Sequence, residues 1–194
     1  MTSKRINQLI NFLKEIDKAK LVERKVLISD LSRYENDAEH SWHTAMFALL
    51  FKDDLPKNLD IDKIIRMLLI HDLGEIYAGD TFAFDGEGKK TQNKREMKAT
   101  KKLFRRLPKD LNQEFLKLYN EYEEAETPEG KFAKSFDKLH PILQNLISGG
   151  QAWKKHKVSY EDIDEHKRQF LNHDKTIMKV YNIFLKEIKR RKLA

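Results

Sequence analysis

The sequence predicts an all-α chain, and three observations carry that expectation. Apolar residues recur at helical spacing along most of the 194 residues, strand signals are nearly absent, and no repeat or linker divides the chain. A chain of this length can bury a sizeable core without disulfides or structural metals, so one domain is expected over residues 1–194.

The elements can be justified in order. Ile6, Leu9, Ile10, Leu13 and Ile16 form the stripe of a first helix. Val26-Leu27-Ile28 is the one short apolar run rich in β-branched residues, and between Lys25 and Ser29-Asp30 it reads as no more than an extended connector. A helix over 38–53 starts behind Asn36 or Asp37 as cap, with Glu39 in its first turn. A helix over 60–77 follows, its end bracketed by Gly74 and Gly79, and Asp85-Gly86-Glu87-Gly88 reads as a turn-rich loop able to cover a site. Further helices are expected over 91–107, 108–124, 128–148 (closed by Gly149-Gly150), 160–171 and 175–189.

Composition narrows the function classes. The chain has no cysteine, so disulfides and thiolate metal sites are excluded and any metal must be held by imidazole and carboxylate. Met1-Thr2-Ser3-Lys4-Arg5 leads into an amphipathic segment containing Lys14, Glu15 and Asp17 rather than the apolar core of a signal peptide, and no stretch is apolar enough to span a membrane. A cytoplasmic location is the expectation. The net charge of +7 invites a nucleic-acid reading, but Lys and Arg are interspersed with acids and no aromatic-interleaved basic motif is present. No specific nucleic-acid binding is therefore expected; attraction of a small anionic substrate remains, and a homodimer is left open.

His71-Asp72 is the most informative feature. This ionisable pair ends the largely apolar run Ile64-Ile65-Arg66-Met67-Leu68-Leu69-Ile70, where a helix enters the core, and burying two such groups is costly unless something satisfies them. A metal ion does so, since neutral imidazole and carboxylate are both donors to it. Taken alone, the dipeptide reads more readily as a core histidine beside a surface acid. Its surroundings change that. His40 sits near a helix start, and Asp137 shares a helical stripe with Ala133, one turn earlier.

The order His40, then His71-Asp72, then Asp137 resembles the H…HD…D pattern of the HD-domain metal-dependent phosphohydrolases. The resemblance extends through Glu35-Asn36-Asp37-Ala38-Glu39-His40-Ser41-Trp42-His43, through His71-Asp72-Leu73-Gly74-Glu75-Ile76-Tyr77-Ala78-Gly79-Asp80-Thr81, and through Phe132-Ala133-Lys134-Ser135-Phe136-Asp137-Lys138-Leu139. These runs are similar to the small HD hydrolases that include bacterial and eukaryotic 5'-deoxynucleotidases, and the likeness runs from about Ile6 to the C-terminal helix. It implies an HD-domain helical bundle that holds one divalent transition metal through His40, His71, Asp72 and Asp137 and hydrolyses a small phosphorylated substrate, by expectation a nucleoside 5'-monophosphate and in the first place a deoxynucleoside one. Imidazole with carboxylate suits Mn, Fe, Co, Ni, Zn or Cu, and the resemblance favours Mn or Co.

Glu75 lies four residues after His71 and three after Asp72, so on a continuing helix its carboxylate shares their face and can take a proton from the attacking water. By resemblance, Asp80 is a second acid near the substrate and Arg24 contacts its phosphate; Arg33, nearer His40, is either a second phosphate ligand or a brace for the loop. His43 shares the face of His40 and is read as orienting or packing, and His140 follows Asp137 by three. His156, His166 and His173 read as surface or ordinary core histidines. In the bacterial deoxynucleotidases the phosphate-binding arginine is followed by a tryptophan that crowds the sugar. Here Lys25 follows Arg24, which weakens the expected selection against a 2'-hydroxyl. The alternatives are a cyclic-nucleotide or nucleotide pyrophosphate hydrolase, and a non-catalytic metal- and nucleotide-binding regulator; the presence of both Glu75 and Asp80 favours the enzyme.

Overall fold

A computed structural model describes residues 2–194. Helices α1 (Ser3–Ile16), α2 (Asp37–Phe51), α3 (Ile61–Ile70), α4 (Glu75–Ala78), α5 (Gly86–Phe104), α6 (Lys109–Glu124), α7 (Pro128–Ile147), α8 (Gln151–His156), α9 (Tyr160–Leu171) and α10 (Lys175–Arg191) surround one continuous apolar core. Helix α7 is central, packing against α2, α3, α6, α9 and α10. Its Phe136, Leu139 and Ile142 meet the buried Ile64, Met67 and Leu68 of α3 within that core. The all-α expectation holds, and none of the described helices is long and apolar enough to cross a membrane.

Four expectations are corrected. The connector around Val26 is a strand: β1 (Glu23–Leu27) pairs antiparallel with β2 (Tyr34–Asn36), Glu23 opposite Asn36 and Leu27 opposite Tyr34. Its apolar run is short because pairing and contacts with α7 and α8, rather than its own pattern, hold it. Residues 60–77 are not one helix; α3 stops at Ile70 and a tight turn follows, held by Leu73 N–H donating to Ile70 and Glu75 N–H donating to Asp72. Asp85 to Gly88 is not a covering loop but the start of α5, with the Asp85 carboxylate accepting from Gly88 N–H at 3.0 Å. The short helix α8 is the fourth, too brief for a periodic signal.

The start of α2 is as expected, with the cap now settled. Asn36 and Glu39 form a reciprocal capping box, Asn36 Oδ1 accepting from Glu39 N–H at 3.0 Å and Glu39 Oε2 accepting from Asn36 N–H at 3.2 Å. This fixes where the helix starts and therefore which way Asp37 and His40 point.

Candidate metal and substrate site

Three elements bring the H…HD…D residues together. His40, at the end of the first turn of α2, is fully buried; His71 and Asp72 follow the C-terminus of α3; Asp137 projects from the middle of α7. His40 Nε2 lies 3.1 Å from Asp137 Oδ1 and 3.6 Å from Asp72 Oδ2, while His71 Nε2 lies 3.1 Å from Asp72 Oδ2 and 3.6 Å from Asp137 Oδ1. Donors that share one ion at about 2.1 Å stand roughly 3.0–3.4 Å apart, so each histidine lies near sharing distance of both carboxylates, and His40, His71 and Asp72 can hold one cation with Asp137 beside them.

The environment of each donor supports the same reading. His71 donates from Nδ1 to the Leu68 carbonyl at 2.8 Å, which aims Nε2 inward, and that buried Nε2 has no hydrogen-bond partner. Burial lowers the His71 pKa, yet Asp72 and Asp137 outweigh it and push the imidazole up to about 10. The two carboxylates thus favour positive charge at this point, which a divalent ion supplies while both imidazoles stay neutral. Asp137 is oriented through its other oxygen, Oδ2 accepting from Tyr122 Oη at 2.8 Å and from Lys138 Nζ at 2.6 Å.

Behind His40 lies a polar layer that sequence reasoning only touched. His40 Nδ1 is 2.9 Å from His140 Nδ1, and His140 Nε2 is 3.2 Å from the buried Glu35 Oε1 and 3.0 Å from His43 Nδ1. Burial, reinforced by its histidine neighbours, lowers His140 to about 4, so it is neutral and can accept from His40. Its two histidine neighbours hold the Glu35 carboxyl far below the usual range despite burial. The pair His43 and His140 therefore orients His40 rather than joining the cluster.

Arg24 enters from β1 into a ring of acids. Its Nη1 donates to Asp72 at 2.7 Å and Asp37 at 3.0 Å, with Glu75 at 3.7 Å and Asp80 at 3.9 Å. Asp37, nearly inaccessible at the start of α2, is a site residue that the sequence reading placed in a motif run and as a candidate cap, with no site role. Burial and the neighbouring carboxylates outweigh Arg24, pushing Asp37 up to about 7 and Glu75 well above the ordinary carboxylate range. Glu75 keeps its place beside Asp72 although the helix is broken, because the tight turn advances the chain by nearly the same rotation.

Arg33 is not brought to this cluster. Its guanidinium sits on Glu39 at 2.9 and 2.5 Å and on the Tyr34 carbonyl at 3.0 Å, so of the two expected roles it takes the brace, steadying the capping box. His166, read as an ordinary histidine, instead lines the cavity.

The cluster forms one wall of a cavity of about 430 Å³, a size suited to a small ligand. Asp80, Phe82 and Phe84 of the α4–α5 segment, Lys25 of β1 and Trp153 of α8 line other parts of it. Arg95 ties that segment down, donating to the Ala78 carbonyl at 2.9 Å and to Thr81 Oγ1 at 2.8 Å.

Gly74 lets the turn carrying His71, Asp72 and Glu75 press against α5. A Cβ there would stand 2.1 Å from Thr100 Oγ1 and 3.3 Å from the Glu96 carbonyl. Gly74→Ala is expected to destabilise the protein by about 2 kcal/mol, read as a lowered denaturant midpoint, by forcing the turn off α5. A midpoint equal to wild type would show that α5 yields freely.

The family model of the HD domain matches residues 16–178. This chain belongs to the HD domain family. A predicted metal-dependent phosphohydrolase from Magnetospirillum magnetotacticum MS-1, solved by crystallography, superposes with a TM-score of 0.91 at 38% identity, covering 98% of this chain and 95% of that one. The 5'-deoxynucleotidase HDDC2 of Homo sapiens is 34% identical over 137 residues, 70% of this chain and 66% of its own length; that of Bos taurus is 32% identical over 145 residues, 74% and 69%. The chain thus spans about two thirds of the length of those relatives. The resemblance carried by the H…HD…D order is confirmed at the level of the family, and the relatives just named by activity are phosphohydrolases, the enzyme class that the order predicts.

Proposed function

We propose that this HD protein hydrolyses the phosphate ester of nucleoside 5'-monophosphates, deoxynucleotides among them, using one divalent transition metal. The observation that carries the reading is that His40 and His71 each lie 3.1–3.6 Å from both Asp72 and Asp137, bordered by Glu75, Asp80 and Arg24 in a cavity of nucleotide size. The human and bovine 5'-deoxynucleotidases support the substrate class. His40, His71, Asp72 and Asp137 would hold the ion, with Mn or Co the first candidates. When bound, it supplies Lewis-acid stabilisation of the phosphoryl oxygens and acidifies water.

The residues of the chain do the rest. Glu75, buried and with its carboxyl pushed upward, is suited to accept the proton of the attacking water and hold it out of solvent. Arg24 presents a guanidinium fixed by Asp37 and Asp72 to the non-bridging oxygens. Asp80, on the segment secured by Arg95, is placed to return a proton to the departing sugar oxygen or to bind the sugar. A regulator that merely bound metal and nucleotide would need neither Glu75 nor Asp80.

The test is phosphate release from ribo- and deoxyribonucleoside mono-, di- and triphosphates, cyclic nucleotides and nucleotide-free esters, with each metal added in turn. Preferential release from 5'-monophosphates is expected; release confined to cyclic nucleotides or to nucleotide-free esters would overturn the substrate class.

Sugar selectivity should be shallow. Lys25 is exposed, lines the cavity and is flexible enough to move aside for a 2'-hydroxyl or to hydrogen-bond it. The ratio of kcat/KM for dAMP over AMP is expected to stay below about tenfold, equivalent to roughly 1.4 kcal/mol, and to rise in Lys25→Trp. A wild-type ratio of on the order of a hundred would assign the discrimination to another group.

A further inference from the structure

Helix α9 carries a residue that its own pattern does not explain. Ile163, His166, Lys167 and Phe170 follow the spacing of one helical face, and all four line the cavity. Three of them suit a half-buried wall, but Lys167 places an ammonium at a position normally filled by an apolar side chain. It is only 5% exposed. Among the described residues no carboxylate lies within 4.0 Å of its ammonium, although a buried lysine is ordinarily paired.

The charges that bear on Lys167 are mostly of its own sign. Lys138, Lys89 and Arg24 all oppose its protonation, and Asp137 alone among the principal neighbours favours it. Lys138 stands beside the metal cluster, its Nζ 2.6 Å from Asp137 Oδ2, and Lys89 reaches the same cavity from the first turn of α5, its Nζ 3.5 Å from His166 Nδ1. Three helices therefore bring Lys89, Lys138 and Lys167 to one cavity next to the cluster; Lys134 of α7 lines it too but is held by Glu123 at 2.8 Å. Such a gathering of cations, one of them on a nearly inaccessible residue with no carboxylate within 4.0 Å, favours an anion among them.

We propose that Lys167, together with Lys138 and Lys89, forms a cationic wall that binds the phosphoryl group of the substrate and retains the phosphate product. This rests on the reading of the cavity as a phosphate-ester site and adds to it a binding group distinct from Arg24. Burial with the adjacent lysines pushes Lys167 down to about 7, and a bound dianion restores its charge. The chain thus meets the phosphate from β1 through Arg24 and from α5, α7 and α9 through the lysines.

The experiment is calorimetric titration of the metal-loaded protein with inorganic phosphate, alongside nucleotide kinetics. Lys167→Met keeps the buried stem and removes the charge. It is expected to weaken phosphate binding about tenfold or more, with unchanged metal content and a melting temperature equal to or above wild type, while KM rises in parallel and kcat changes less. Lys89→Met, at a more open position, is expected to weaken binding about threefold. Phosphate affinity in Lys167→Met within about twofold of wild type overturns the proposal. So does weakened phosphate binding with an unchanged KM, because the anion held there would then not be the reacting group. Wild-type protein that binds phosphate but releases none from any nucleotide overturns the proposed substrate class and leaves the wall standing.

Discussion

Asp72→Ala is expected to be purified with only traces of metal and to release phosphate at the background rate. Asp72 Oδ2 is shared: it lies 3.1 Å from His71 Nε2, 3.6 Å from His40 Nε2 and 2.7 Å from Arg24 Nη1. Alanine removes the one carboxylate that links both histidines and the arginine, leaving Asp137 as the only carboxylate donor of the cluster. A loss of more than about a thousandfold in turnover is expected. Stability should follow through linkage: at metal concentrations about a thousandfold above the dissociation constant, the wild type gains roughly 4 kcal/mol that the variant lacks. Metal analysis, phosphate release and thermal melting with and without chelator check it. Full metal content with unchanged activity in the variant would sink the assignment of this cluster.

Glu75→Gln should separate holding the ion from using it. Metal content is expected to stay near wild type, because Glu75 stands outside the four converging atoms, while kcat falls by on the order of a hundredfold as the proton acceptor is lost. The same change should raise stability by about 1 kcal/mol. Glu75 Oε2 is buried without a hydrogen-bond partner, 3.7 Å from Arg24, in a ring where Asp37, Asp72 and Asp80 already surround that one guanidinium. A neutral amide of the same shape relieves that crowding of like charge. Turnover near wild type would remove Glu75 from the proton-transfer role. A lowered melting temperature would show that its carboxylate is structurally needed.

How much was legible beforehand depended on the kind of signal each residue carries. His71-Asp72 announced itself because two ionisable groups interrupted an apolar helical run, and Glu75 followed from counting along the chain. Arg24 and Asp80 had no such local signal and came through the resemblance alone. Asp37 was read as a candidate cap within a motif run, Glu35 merely as part of that run, His166 as a surface or ordinary core histidine, and Lys167 not at all. Their burial depends on which other elements close over them. Arg33 shows the reverse error: its nearness to His40 in sequence left a site role open, whereas the capping-box carboxylate of Glu39 claims it.

Reading along the chain was enough for the helical class, most helix bounds, the absence of thiolate ligands and the order of the motif that names the family. These follow from periodicity, capping chemistry and composition, which act over a few residues at a time. It takes the folded chain to show that β1 and β2 pair, that α3 breaks after Ile70, that Asp137 reaches two histidines from elements far away in sequence, and that lysines of α5, α7 and α9 share one cavity. Such outcomes depend on the packing of α7 against its neighbours. The charge and burial of a side chain are set by everything that surrounds it in space, and no window along the chain contains those surroundings.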